Sequence, residues 1–508
     1  MRRAGVVRRS LYTVSAVALC AGAATATSAA TATGTATAAA RAWAAAASPA
    51  AAPPSPECVA RTTPVPDGPA TLVSDTTVAG YGGSLHDLTL DSPALYGDVH
   101  VDVLLPPGYD AEPKTRYHVL YLLHGSGGSY TDWVDNGVSQ ILTTGYGADH
   151  LPPVIAVMPY DGAEGYYTDW YGSDVDQPSE GPPPGWATWI LDELIPYIDG
   201  HYRTIASRAG RAIAGLSMGG FGATSLPARR PDLFSVAGSF SGADDIDYDY
   251  PYENDLLYGT DPAFTGGAPD LCIWGDALTE RVYWEAVDPT YLAGNLAPLH
   301  LFLASGDGEP GPYDSLTPSG APDTAAAAAT ELDIWYMNQG FVSALNQAGV
   351  PHTDYFYGPG THSWPYWERD LAHFLPFLAA GWADPRPVPE TFDYRSAASS
   401  FGLWGWTFTA DRSVEEFTYL FNVGRAGLTV SGSGTLHVVT AGLYRPGSRW
   451  VVSAAGKRTV LTADRSGKLA FAVDLGPSHT TQQVTFPASG AAPSGWVART
   501  VRITRAVG

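Results

Sequence analysis

Between residues 117 and 357 short apolar runs alternate with stretches of helical period, and this alternation restricts the fold more than any other feature of the chain. The runs are Tyr117 to Leu123, Val154 to Met158, Arg211 to Ala214, Phe234 to Phe240, Leu299 to Ala304 and His352 to Tyr357. Trp186 to Ile198 and Thr330 to Gln347, lying between them, carry their apolar residues at helical spacing. Runs this short and this apolar suit strands buried on both faces, so a largely parallel sheet covered by helices is expected. Ahead of them Val99, Val101, Val103 and Leu105 alternate with polar residues and predict an antiparallel edge strand.

The texture changes at Asp384-Pro385-Arg386-Pro387-Val388-Pro389. Beyond it the period is two, as in Trp404-x-Trp406-x-Phe408, with strand-like runs at Thr435 to Thr440, Trp450 to Ser453, Leu469 to Leu475 and Val497 to Ile503. A small all-β sandwich over residues 390–508 is expected, after an α/β domain over 58–384. The alternating aromatics of the sandwich have two readings, a core or a surface that binds polysaccharide or cell wall.

At the other end Arg2, Arg3, Arg8 and Arg9 precede an apolar stretch from Leu11 to Ala24 and an Ala24-Thr25-Ala26 site, the pattern of a secretory leader over residues 1–30. Both the general and the twin-arginine routes fit it. Residues 31–57 are nearly all Ala, Thr, Ser and Pro, too poor in bulky apolar groups to offset the entropy of ordering, and read as a tether. No later stretch offers a membrane span. Net charge is −23 and grows more negative when the leader's arginines are removed, which argues against nucleic-acid or anionic-membrane partners. Cys20 leaves with the leader, and Cys58 and Cys272 form an even pair in an oxidising compartment, for which a disulfide is expected. An extracellular monomer follows.

Gly215-Leu216-Ser217-Met218-Gly219 matches G-x-S-x-G, a weak signal by itself in a chain with 56 glycines. Its surroundings strengthen it. A buried strand precedes Ser217 and a helical segment follows, which is the nucleophile elbow of the α/β-hydrolase fold, where glycines admit a strained serine and a close neighbouring chain. A serine hydroxyl needs a base, and His362 stands in the loop after the last expected strand; His124 competes but precedes the nucleophile. His124-Gly125-Ser126-Gly127-Gly128 follows the strand ending at Leu123 and suits an oxyanion hole built from the backbone N–H groups of Ser126 and Met218, so the Ser126 side chain should matter little. For the acid, Asp307, Asp314 and Glu331 lie between the Leu299 to Ala304 run and His362, and the general order of the fold favours Asp307.

These pieces, with Tyr167-Thr168-Asp169-Trp170-Tyr171, Asn338-Gln339-x-Phe341 and Gly360-Thr361-His362-Ser363-Trp364, resemble the esterase D group of α/β-hydrolases and within it the secreted mycolyltransferases of the antigen 85 type. The resemblance covers about residues 95 to 380. It implies acyl-ester chemistry through a covalent acyl-serine with no metal or organic cofactor, on a small-molecule or cell-wall polysaccharide ester. It places Glu331 at the family's catalytic glutamate and Trp364 at the substrate. The chain departs from the mycolyltransferases at His124-Gly125, where they begin Asp-Gly and carry an arginine-bearing sugar loop; His-Gly is more like feruloyl esterases, which pass the acyl group to water. Hydrolysis is therefore the first reading, acyl transfer to a sugar hydroxyl the second, and an inactive wall-binding protein the third.

Overall fold

The computed structural model describes residues 58–82, 84–174, 182–246, 270–275, 280–314, 321–483 and 495–506. The leader and tether expectations lie outside the described residues. Residues 56–508 form one compact unit.

Its centre is a sheet of nine strands: β1 (Thr71–Thr77), β2 (Leu85–Ser92), β3 (Gly97–Leu104), β4 (His118–Leu123), β5 (Val154–Pro159), β6 (Arg211–Leu216), β7 (Val236–Phe240), β8 (His300–Ser305) and β9 (Thr353–Phe356). Their order is β9-β8-β7-β6-β4-β5-β3-β2-β1. The six strands β4 to β9 run parallel, and β3, β2 and β1 add antiparallel at one side. All six expected parallel strands are present to within two residues at each end. One expectation needs correcting. The strand bearing Val99, Val101 and Val103 is antiparallel, but it lies inside the sheet between β5 and β2, and the edge belongs to β1, every residue of which is exposed. An edge strand with few apolar residues leaves little periodic signal in the sequence, and β1 has only Leu72 and Val73.

Alternation along the parallel strands divides their side chains between two cores. Val119, Tyr121, Leu123, Ile213 and Leu303 face one, and Leu120, Leu122, Ala212, Ala214 and Phe302 the other. Helices cover both: α2 (Met218–Arg229) and α3 (Ala321–Ala348) the first, α1 (Val138–Ala148) and α4 (Trp364–Ala383) the second. The helical stretch from Trp186 to His201 also lies on the first face and contains a π-helical turn over Trp189–Leu194. This is the α/β-hydrolase fold expected from the sequence. The chain goes from β4 outward to β5 on one side and then to β6 on the other, so the crevice beyond the carboxyl ends of β4 and β6 is a topological switch point, where α/β sheets collect their functional loops.

After α4 come two antiparallel sheets, one of six strands and one of four. Strand Trp406–Asp411 alternates buried and exposed, with Trp406 and Phe408 almost wholly buried, so these aromatics form core. The sandwich also shares its base with the first half of the molecule. Phe417 and Tyr419 belong to the same core as β4 and β6, Tyr291 Oη lies 2.9 Å from Tyr419 Oη, and Tyr394 Oη donates to Arg229 O at 2.6 Å.

Candidate active site

Strand β6 is buried along its whole length and ends at Leu216, where the chain reverses into α2 through Ser217. Ser217 has φ 54° and ψ −121°, a conformation that costs about 1–3 kcal/mol for a residue with a side chain. Its N–H donates to Phe240 O at 3.0 Å and its carbonyl accepts from Phe221 N–H at 3.1 Å, which pins the turn. The flanking glycines are sterically required. A Cβ on Gly215 would stand 2.2 Å from Gly219 O, and one on Gly219 would stand 2.4 Å from Leu123 O. The strained turn thus lifts the Ser217 hydroxyl above the sheet while the backbone below it stays tightly packed.

His362 comes from the loop between β9 and α4. Its backbone N–H donates to Ala327 O on α3 at 3.0 Å, and its ring meets Trp367 edge-on at 4.9 Å. Ring Nε2 lies 2.8 Å from Ser217 Oγ and Nδ1 lies 2.7 Å from Glu331 Oε2. A carboxylate can only accept, so Nδ1 carries the proton and Nε2 is left to accept one from the serine. Glu331 is fully buried on α3. Its other oxygen, Oε1, accepts from Ser241 Oγ at 2.8 Å, Ser305 Oγ at 3.0 Å and Gly306 N–H at 2.7 Å. Three donors fix the carboxylate's rotation, and its second oxygen points at the ring.

The other two acids are engaged elsewhere. Asp307, favoured by the general order of the fold, accepts Glu309 N–H at 3.0 Å and caps its own turn, while both nitrogens of His362 are already taken. Among the described residues Asp307 makes no bond to the His362 ring. Asp314 accepts from Thr361 Oγ1 at 2.5 Å and Tyr366 Oη at 2.6 Å, bracing the histidine loop from the residue next to His362. Trp364 is half-buried, edge-to-face with Trp133 at 5.3 Å and with Trp367, the ring that backs His362, at 5.5 Å.

The 124–128 loop runs against the elbow: a Cβ on Gly125 would lie 3.3 Å from Ser217 Cβ. Met218 opens α2, where the first N–H groups have no acceptor within the helix. His124 is buried, and both of its ring nitrogens are bonded to groups other than Ser217. Its Nδ1 donates to Gly125 O at 2.8 Å, its Nε2 accepts Asp161 N–H at 3.1 Å, and burial pushes its pKa down to about 4, so it stays neutral. Sequence reasoning missed the segment after β5 that holds all this. Tyr167 Oη donates to His124 O at 3.0 Å, Tyr167 N–H donates to Asp161 Oδ2 at 2.7 Å, Gly127 N–H donates to Ala163 O at 2.7 Å, and Tyr166 N–H reaches Met218 Sδ at 3.4 Å. Both tyrosines have positive φ, 50° and 49°. The Ser126 side chain, expected to matter little, donates to Glu164 Oε2 at 2.5 Å. The motif beginning at Tyr167 marked this segment, but nothing in its spacing revealed which loop it would clamp.

Among the described residues no group of three or more His, Cys, Asp and Glu side chains is placed to hold a metal, and no helix is long and apolar enough to cross a membrane.

Comparison with known proteins gives a match of residues 92–378 to the family model described as putative esterase. Esterase Rv1288 of Mycobacterium tuberculosis is 30% identical over 269 residues, 52% of this chain and 52% of that protein. The diacylglycerol acyltransferase/mycolyltransferase Ag85B of Mycobacterium leprae is 32% identical over 196 residues, 38% of this chain and 56% of that one. The chain therefore spans about half the length of the curated relatives it matches. A solved ferulic acid esterase superposes with a TM-score of 0.43 at 24% identity, covering 62% of this chain and 99% of that one.

Proposed function

The chain belongs to the putative esterase family, and from that premise we propose that it is an exported serine hydrolase that cleaves carboxylic esters through a covalent acyl-serine. The observation that carries the reading is the continuous line from Glu331 through His362 to Ser217, with spacings of 2.7 and 2.8 Å, ending on a strained elbow serine. In this reading Ser217 Oγ attacks the ester carbonyl carbon while its proton passes to His362 Nε2, and Glu331 stabilises the imidazolium. The backbone N–H groups of Met218 and Ser126 take up the charge that develops on the carbonyl oxygen. The imidazolium protonates the departing alcohol oxygen as the C–O bond breaks. Water then enters by the same route, giving its proton to Nε2 and its oxygen to the acyl carbon, and Ser217 leaves with a proton restored.

Acyl transfer to a sugar hydroxyl shares every step up to the acyl-enzyme, and the acyltransferase named among the relatives keeps it as the second reading. The two separate in one assay. A short-chain p-nitrophenyl ester should give a burst of p-nitrophenol followed by steady release of free acid, at a rate unaltered by added sugar. Accumulation of acyl sugar with free acid suppressed would assign transfer, and neither a burst nor turnover would leave only the wall-binding reading.

Export fits the leader of residues 1–30, and with it goes a disulfide between Cys58 and Cys272. In support, the strand Cys58–Ala60 packs against the short helix Asp270–Trp274, in which Cys272 is buried. The bridge closes a loop of about 210 residues, worth about 4–5 kcal/mol in the chain-entropy model. Mass spectrometry of unreduced peptides should recover the two cysteines in one linked species, and alkylation of both without prior reduction would dismiss the bridge.

A further inference from the structure

The loop proposed to bind the developing oxyanion is tied to the segment after β5 by two adjacent bonds of different kinds. Gly127, with φ 68°, is held by its backbone through Ala163 O, and Ser126 is held by its hydroxyl through Glu164 Oε2 at 2.5 Å. Glu164 is only 6% exposed. A buried carboxylate is normally paired with a cation, yet among the described residues Glu164 has no ion-pair partner. On the 124–128 loop His124 is neutral, with both nitrogens engaged. At the start of the helix Asp132–Asp135 stand two acids, and Asp132 Oδ2 accepts Ser129 N–H at 3.1 Å. On Glu164's own segment Asp161 Oδ2 accepts Tyr167 N–H, while Asp169, five residues beyond Glu164, is bonded to Thr188 and pairs with a cation, Arg229 Nη2 at 4.0 Å. Burial accordingly pushes the Glu164 carboxyl up to about 7, with the bond from the Ser126 hydroxyl opposing the rise.

We propose that Glu164 is a positioning residue for ester turnover: in its neutral form it holds Ser126, and with it the oxyanion loop, in the productive shape, and its ionisation slows the reaction. A neutral carboxyl with its proton on Oε1 still accepts the Ser126 hydroxyl at Oε2, so the loop stays clamped. An ionised one sets a negative charge on the group bonded to Ser126, whose own N–H is to stabilise a second negative charge, and the two repel in a site of low dielectric. The sign follows directly. As pH rises Glu164 loses its proton, and kcat/KM falls on the alkaline side.

The inference rests on the ester-cleaving reading, and the test keeps the two apart. With a p-nitrophenyl ester, Glu164→Gln keeps an acceptor for Ser126 but cannot ionise, so the alkaline fall should vanish and the ratio of kcat/KM at pH 8.5 to that at pH 6.5 should rise about tenfold over the unaltered protein. Glu164→Ala removes the acceptor and should lower kcat about tenfold across the whole pH range with KM changed less than about twofold, a loss that Glu164→Gln restores at pH 6.5. Ser126→Ala, a small change on a partly exposed loop, should reproduce the kcat loss of Glu164→Ala even if substitutions at 164 fail to fold. An alkaline limb unchanged in Glu164→Gln, or full kcat in Ser126→Ala, overturns the proposal. Ser217→Ala measured beside them reports on the underlying reading: if it is inactive, that reading survives whatever Glu164 does, and if it is active, the reading itself falls.

Discussion

Ser217→Ala should lower kcat for ester turnover by at least about a thousandfold while leaving the protein folded, with stability changed by no more than about 1 kcal/mol. The reason lies in the elbow. The backbone bonds that hold the turn come from the Ser217 N–H and carbonyl, and these are kept in the alanine variant, whereas the hydroxyl's bond is to His362 Nε2 at 2.8 Å. Removing Oγ therefore removes the attacking atom and almost no packing. The residual rate is what the oxyanion donors and substrate binding supply without a nucleophile. Steady-state kinetics with a p-nitrophenyl ester, paired with thermal unfolding of the same sample, check both halves. A variant with more than about one thousandth of the original turnover and a normal melting curve would remove Ser217 from the role.

Glu331→Gln should cost about three to four orders of magnitude in kcat, and Asp307→Asn less than about twofold. Three donors, Ser241 Oγ, Ser305 Oγ and Gly306 N–H, surround Oε1. They compel a glutamine to put its oxygen there, so its NH2 group faces His362 Nδ1. That nitrogen must then accept, the ring proton moves to Nε2, and the nitrogen facing Ser217 can no longer take the serine's proton. The side-chain volume hardly changes, so the fall in rate would report the wrong tautomer rather than a damaged core. Among the described residues the Asp307 side chain bonds only its own turn, at Glu309 N–H, and its amide keeps an oxygen for that bond. A crippled Asp307→Asn beside a normal Glu331→Gln would reverse the assignment.

Much of the molecule was legible before any coordinates. The six parallel strands could be read because each is buried on both faces and so is apolar at every position, a signal that needs no knowledge of its neighbours. The elbow at Ser217 and the loop bearing His362 could be read because each follows such a strand and carries the glycines that its turn requires. Strands β1 and β2 gave no such signal: β1 is exposed throughout, and β2 mixes buried and half-buried positions. The sandwich was visible as a change of period. Its sharing of a core with the first half through Phe417 and Tyr419 was not, because contacts between distant segments leave no periodicity in either.

Local sequence determined which residues had the right chemistry and stood in the right kind of turn: Ser217 after β6, His362 after β9, the glycine loop after β4, and three acids for one place. Only the tertiary structure shows which of those acids is bonded to the histidine ring. Asp307 is closest to its strand in sequence, but reaching a histidine ring depends on where a side chain projects, and the packing of α3 against β8 brings Glu331 to 2.7 Å of Nδ1 from 31 positions away. The same holds for Ser126. Its hydroxyl meets Glu164 only because β4 and β5 are adjacent and parallel, so that the loops leaving their carboxyl ends emerge side by side. Periodicity records what each segment buries, and it carries no record of which other segment it is buried against.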